Sequence, residues 1–305
     1  VTTVADAGGA GWRNFDDFRD RIINRSLTRV LAFLNIVGNG MRGGKLEQDL
    51  SDMEVKPTAD TALKHKGLIV GIKSAHYAGR DWAPFERGEE AARIAGVPFM
   101  VDFGNNFPER PLYDLLNKVY RPGDIYTHMY SGLRDEQDEA TGGPSRAMID
   151  GRKRGVIFDV GHGGGSFFWR VAVPMVKAGF IPDTISTDLH ITSMNSGMKD
   201  MLNVMSKFLI LGLPLEQVIL QSTWNPAKAI QHEELGHLSA GSIADVAVLR
   251  LEKGDFGFTD AGNGRLRGNQ KLTCELTIKS GRVQWDLNGL SRDDWEKQPP
   301  PRKKR

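Results

Sequence analysis

The sequence predicts an α/β protein, a parallel barrel of the (β/α)8 TIM type followed by a small antiparallel β unit. Three observations predict it. Short apolar runs alternate with helical patterns from the first residues to about residue 232, as βα repeats do. Lys73, Asp102, His128 and Asp188 each stand at or just past the C-terminal end of such a run, where a parallel barrel gathers its chemistry. Beyond residue 232 the runs alternate or become β-branched and are divided by glycine-rich turns.

Strands are expected near 1–6, 29–37, 67–73, 97–103, 124–129, 155–161 and 183–189. That makes seven, where a closed barrel of this type needs eight. Between them, residues 84–96 read as a helix. Pro84 suits its first turn, Glu86, Glu89 and Glu90 favour the positive end of the dipole, and Gly96 suits its exit. In 110–124, Leu112, Leu115, Leu116 and Val119 share a helical face that Pro122 and Gly123 terminate. The stretch 167–180 carries an apolar stripe, with Pro174 marking a kink or a first turn. From Gly197 to Leu211 the methionines fall at helical spacing and read as core filler. Residues 245–252, 271–281 and 282–287 read as the strands of the antiparallel unit. Three strands leave an apolar face that other strands are needed to cover. The predicted organisation is a barrel over 1–232, a β portion over 233–290 and a disordered basic tail over 291–305.

Composition excludes several classes. With 305 residues and 40% hydrophobic content the chain buries a full core. The net charge of +2 includes four basic residues at 302–305, so the remainder is net negative and nucleic acid is not an expected partner. No apolar stretch approaches the ~20 residues of a spanning helix, and no signal-peptide pattern is present. A single cysteine, Cys274, excludes an intrachain disulfide and a thiolate metal cluster, which makes a cytoplasmic setting the default.

The four strand-end residues outline a metal site. A buried lysine at position 73 must neutralise, pair with an acid, or be carboxylated by carbon dioxide, which turns it into an anionic two-oxygen ligand. His128 is read as hydrogen-bonded or metal-bound. Asp188, ending the last barrel run, suits both metal binding and acceptance of a proton from an activated water. In DVGHGGGSF (159–167) the glycines either let backbone approach a ligand, with His162 and Ser166 touching substrate, or simply join a strand to a helix. No GxxxxGK[ST], HExxH or GxSxG pattern occurs.

In series, GIK (71–73), THMYSG (127–132), DVGHGGGSF (159–167), STDLH (186–190) and GHLSAGSIADVAVL (236–249) resemble the amidohydrolase superfamily, near its deacetylase and dihydroorotase-like metallohydrolases. The resemblance implies a (β/α)8 barrel with a small β-sandwich built from both chain ends, and a centre of two divalent ions, zinc by default, with manganese or another ion as alternatives. It implies that Lys73 is the carboxylated lysine of strand four, His128 the histidine of strand six, and Asp188 the strand-eight aspartate that shuttles the proton. Asp102 stands where the family usually has a histidine, and the family's HxH pair of strand one is absent from the chain. A missing eighth strand, half a sandwich and no HxH are together expected if the chain lacks an N-terminal segment of its parent. The implied activity is hydrolysis of an amide or cyclic amide in a small molecule, with His162, Ser166 and His190 as substrate contacts. An esterase with the same centre is one alternative, and an inactive barrel serving as scaffold or binding module is another. Exposed apolar edges make a homo-oligomer an expected state.

Overall fold

Six of the seven expected strands form one parallel sheet in chain order. They are β1 (Thr3–Gly11), β2 (Arg29–Asn35), β3 (Ile69–Ser74), β4 (Phe99–Val101), β5 (Ile125–Tyr126) and β6 (Ile157–Phe158), in a computed structural model that describes residues 1–299. Near-continuous apolar runs suit strands covered on both faces, and every residue of β3 is buried. The seventh segment differs from its expectation. Residues 183–189 form no ladder and meet β6 through one parallel bridge, Asp159 to Thr184. Backbone hydrogen bonds still tie it down, from Asp183 N–H to the Phe158 carbonyl at 2.8 Å, from Val160 N–H to the Thr184 carbonyl at 3.2 Å and from Gly163 N–H to the Thr187 carbonyl at 2.9 Å. The hydroxyls of Thr184 and Ser186 add to them by donating to Asp159 at 2.6 and 2.7 Å. β1 and this segment are the two edges of the wall. No pairing joins them among the described residues, so the eight-stranded closure is not seen.

The helices flank this sheet. They are α1 (Phe15–Arg21), α2 (Val55–Lys64), α3 (Ala83–Ala95), α4 (Leu112–Asp114), α5 (Arg146–Lys153), α6 (Trp169–Lys177), α7 (Met201–Ile210), α8 (Leu215–Leu220) and α9 (Trp224–Ala229). α3 matches its punctuation, with Pro84 in the first turn and Gly96 in the left-handed cap at φ 71°. The helix expected over 110–124 is one α-turn continued by a π-turn, Leu115–Val119, which still buries Leu112, Leu115 and Leu116. α6 runs through Pro174, which leaves the carbonyl one turn earlier without its helical donor. α7 is capped by Asp200, whose side chain accepts from the Asn203 N–H, and it buries Met205, Phe208 and Leu209 as the spacing predicts.

After α9 the chain forms β7 (Val246–Thr259), β8 (Arg265–Lys279) and β9 (Arg282–Asp286), a single antiparallel sheet in that order. It is one layer rather than a sandwich among the described residues. Its cover is α7: the Leu272 N–H donates to Ser206 Oγ at 2.9 Å, and a Cβ at Gly268 would strike Ile210. The end of β7 docks on α6, where Trp169 donates its backbone N–H to Asp260 and its indole N–H to the Phe258 carbonyl. Phe258 and Leu272 belong to the same apolar core as the parallel sheet. Of the expected basic tail, residues 300–305 lie outside the described residues, and Trp295–Lys297 form a short 3-10 turn. Among the described residues no helix is long and apolar enough to cross a membrane.

Candidate metal centre

Adjacent parallel strands bring three of the four expected residues to one end of the sheet. Lys73 lies in β3, registered with Asn35 of β2 and Met100 of β4. It is 4% exposed, and its ammonium forms no ion pair among the described residues. Burial lowers its pKa, opposed by Asp102, Asp188 and Asp159. β1 must come close for this to happen. Gly8 has φ 103°, and a Cβ there would lie 2.9 Å from Lys73 Cγ, so only glycine fits.

Asp102 follows β4 and His128 follows β5. Asp102 Oδ1 accepts from Arg134 Nη2 at 2.5 Å and from the Gly104 N–H at 3.3 Å. Its Oδ2 faces two imidazoles, His128 Nε2 at 3.6 Å and His76 Nε2 at 3.4 Å. Burial would raise the carboxyl, but His128, Arg134 and Lys73 reverse this and hold it well below the usual range. His128 Nδ1 lies 2.6 Å from the Gly161 carbonyl. A carbonyl only accepts, so Nδ1 carries the proton and Nε2 is the atom turned to Asp102. Burial pulls the imidazole down, and the carboxylate outweighs it to raise the pKa above its ordinary value.

Asp188 comes from the seventh segment and is exposed, with φ 47°. The glycine loop makes room for it. Gly163 has φ 51°, and a Cβ there would lie 2.4 Å from Asp188 Oδ2. Asp188 contributes to the electrostatics of both Lys73 and His128.

The expected substrate contacts separate. His162 is fully buried away from solvent, stacked 4.6 Å from Phe167, with Nδ1 on the Gly163 carbonyl at 2.9 Å and Nε2 on Lys207 Nζ at 2.6 Å. Both ring nitrogens are engaged, so it holds the loop rather than facing a substrate. Ser166 is partly buried, its N–H donating to the His162 carbonyl at 3.3 Å. His190 is exposed beside Gly164, with its Nδ1 2.9 Å from Thr192 Oγ1.

Other residues lie at the same end of the sheet. Asp159 is buried and accepts from Thr127, Thr184 and Ser186, joining β5, β6 and the seventh segment beneath the mouth. It follows a strand end as Asp102 does, so strand-end position is a signal that could have singled it out. His76, three residues after Lys73, is held at φ 57°, with Nδ1 2.8 Å from Glu47 Oε2. Arg134 and Glu136 lie in the loop after β5, and only the tertiary structure shows that they matter.

The donor chemistry suits a divalent cation on one observation. Two imidazole Nε2 atoms face one carboxylate oxygen, and each ring's Nδ1 is occupied by an oxygen acceptor, the arrangement of ligating histidines. The donors form an arc along the strand ends. Among the described residues, no three His, Cys, Asp or Glu side chains close into a cage by themselves.

Residues 169–284 match the model of the amidohydrolase family. A deacetylase of Brucella anthropi is 35% identical over 283 residues, covering 88% of this chain and 68% of that protein. Among solved structures, an adenine deaminase superposes with a TM-score of 0.88 at 26% identity, covering 94% of this chain and 78% of the other. A dihydroorotase superposes with a TM-score of 0.82 at 32% identity, covering 93% and 75%. The chain belongs to the amidohydrolase superfamily and is thus a hydrolase of carbon–nitrogen bonds. Such neighbours imply a TIM-type barrel, and the superfamily generally uses divalent metal ions.

Proposed function

We propose that this protein is a metal-dependent hydrolase that removes an acyl group, acetyl foremost, from the nitrogen of a small molecule. The observation that carries the reading is the pair of Nδ1-anchored imidazoles turned onto Asp102 Oδ2, beside a buried lysine that forms no ion pair among the described residues. The deacetylase relatives support the acyl-transfer class.

Lys73, Asp102, His128 and Asp188, with His76 beside them, would hold two divalent ions, zinc by default. When bound, such ions acidify water at neutral pH and polarise the scissile carbonyl. The protein's own groups do the rest. Burial keeps Lys73 inclined to the neutral amine, the form that adds carbon dioxide to give an anionic carbamate and release a proton. Gly161 fixes the His128 tautomer. Asp188 takes a proton as the water oxygen bonds to the carbonyl carbon, and returns it to the nitrogen as the C–N bond breaks. The products are a carboxylic acid and an amine. His190 borders the substrate at the mouth. Cys274 is free, which accords with a cytoplasmic setting.

The test is hydrolysis of a panel of N-acetyl and cyclic amide substrates, with and without a chelator, by chain supplied with zinc and bicarbonate. Chelator-sensitive release of amine is expected. Release that ignores the chelator, or none from any substrate by metal-loaded protein, defeats the reading. Faster turnover of the matching acetyl esters would favour an esterase using the same residues.

A further inference from the structure

We propose that Arg134 is a positioning residue that makes Asp102 a one-oxygen donor, and that the metal affinity of the chain depends on it. The proposal rests on the metal-dependent reading above. Arg134 is 8% exposed, and its guanidinium is tied at all three nitrogens. Nη2 donates to Asp102 Oδ1 at 2.5 Å, Nε to the Gly104 carbonyl at 3.0 Å and Nη1 to Ser131 Oγ at 3.4 Å. The Gly104 N–H adds a second donor to the same carboxylate oxygen at 3.3 Å. Oδ1 is thereby committed to the protein, and Oδ2 is the oxygen left facing His128 and His76.

A fully buried carboxylate behind Arg134 fixes it in turn. Glu136 accepts from the Arg134 backbone N–H at 2.9 Å, from Ser131 Oγ at 2.7 Å and from Tyr126 at 3.1 Å. The guanidinium therefore lies between two buried carboxylates and offsets the charge of both. A planar fork is what the position requires, because one ammonium nitrogen cannot reach Asp102, Gly104 and Ser131 in their separate directions. Without the fork the Asp102 carboxylate is free to rotate, and either oxygen, or both, meets the imidazoles.

The test is zinc affinity, measured by competition with a chromogenic chelator on the full chain, for wild type, Arg134→Lys, Asp102→Asn and the double variant. Arg134→Lys is expected to bind zinc about 10- to 100-fold more weakly, the usual effect of losing the group that orients a ligand, with its unfolding midpoint nearly unchanged. Adding Asp102→Asn to Arg134→Lys is expected to cause less further loss than it causes in wild type, since both act through one carboxylate. If Arg134→Lys fails to fold, Arg134→Met with Glu136→Leu removes both buried charges together and should show the same weakening. Equal affinity in wild type and the folded variants overturns the positioning role and leaves the hydrolase reading standing. Absence of zinc binding by wild type overturns both.

Discussion

His76, His128 and Asp188 hold left-handed backbone at φ 57°, 65° and 47°. That region costs a residue with a Cβ about 1–3 kcal/mol. His and Asp tolerate it better than most. In the proposed mechanism Asp188 has the most direct chemical role, and being exposed it has little structural one. Asp188→Asn is therefore expected to lower kcat by about 10²–10⁴ with an unchanged circular dichroism spectrum. A scaffold would show no change in any ligand binding, and near-normal turnover would remove Asp188 from the mechanism. Gly8 makes the complementary case, where a side chain is excluded. At φ 103°, with Lys73 against it, Gly8→Ala should destabilise by about 1–3 kcal/mol in urea unfolding. A change within a few tenths would mean that Lys73 has other room.

At the scale of elements, two polar knots hold the site under its loops. Asp159 receives three hydroxyls from β5 and the seventh segment at 2.6 to 2.7 Å. Asp159→Ala strands those donors and should cost about 3 kcal/mol or more, read as a lower denaturant midpoint. The second knot joins the glycine loop to α7 and β7. Lys207 donates to the carbonyls of Gly197 and Thr259 at 2.7 Å and to His162 Nε2 at 2.6 Å, so three acceptors meet the three N–H bonds of an ammonium. Burial, then the charge of Lys207, pushes His162 down to about 3. The unfolded chain has an ordinary imidazole near 6.5 and takes up its proton first as pH falls. His162 therefore contributes stability that is present above about 6.5 and is lost between there and about 3, at up to about 1.4 kcal/mol per pH unit. Urea unfolding from pH 7 to pH 4 should show this slope in wild type and a shallower one in His162→Gln. Equal slopes would contradict it. The sequence could not place His162 here, because its partner lies 45 residues away on another element.

For the whole molecule, periodicity carried the reading where neighbours in sequence are neighbours in structure. Apolar runs marked six parallel strands and α3 was marked by its own Pro and Gly, because burial on both faces and capping are local demands. The seventh segment pairs more loosely than the expected strand, with scattered backbone hydrogen bonds to residues 158–163 and one bridge in place of a regular ladder, and hydroxyls on Asp159 add to its cohesion. Lys73, Asp102 and His128 come together as expected because strand ends converge in a parallel sheet. Arg134, Glu47 and His76 were not expected, because ion pairs formed across loops leave no spacing to read. What unites the molecule is one open wall whose C-terminal ends gather carboxylates, imidazoles and a buried lysine, with the β7–β9 sheet bracing the glycine loop from outside. The metal content of the purified chain, determined by elemental analysis after it is supplied with zinc and bicarbonate and then desalted, tests this account most directly. At least one divalent ion per chain, lost in Asp102→Asn, is the result expected. A metal-free wild-type chain under those conditions would contradict it.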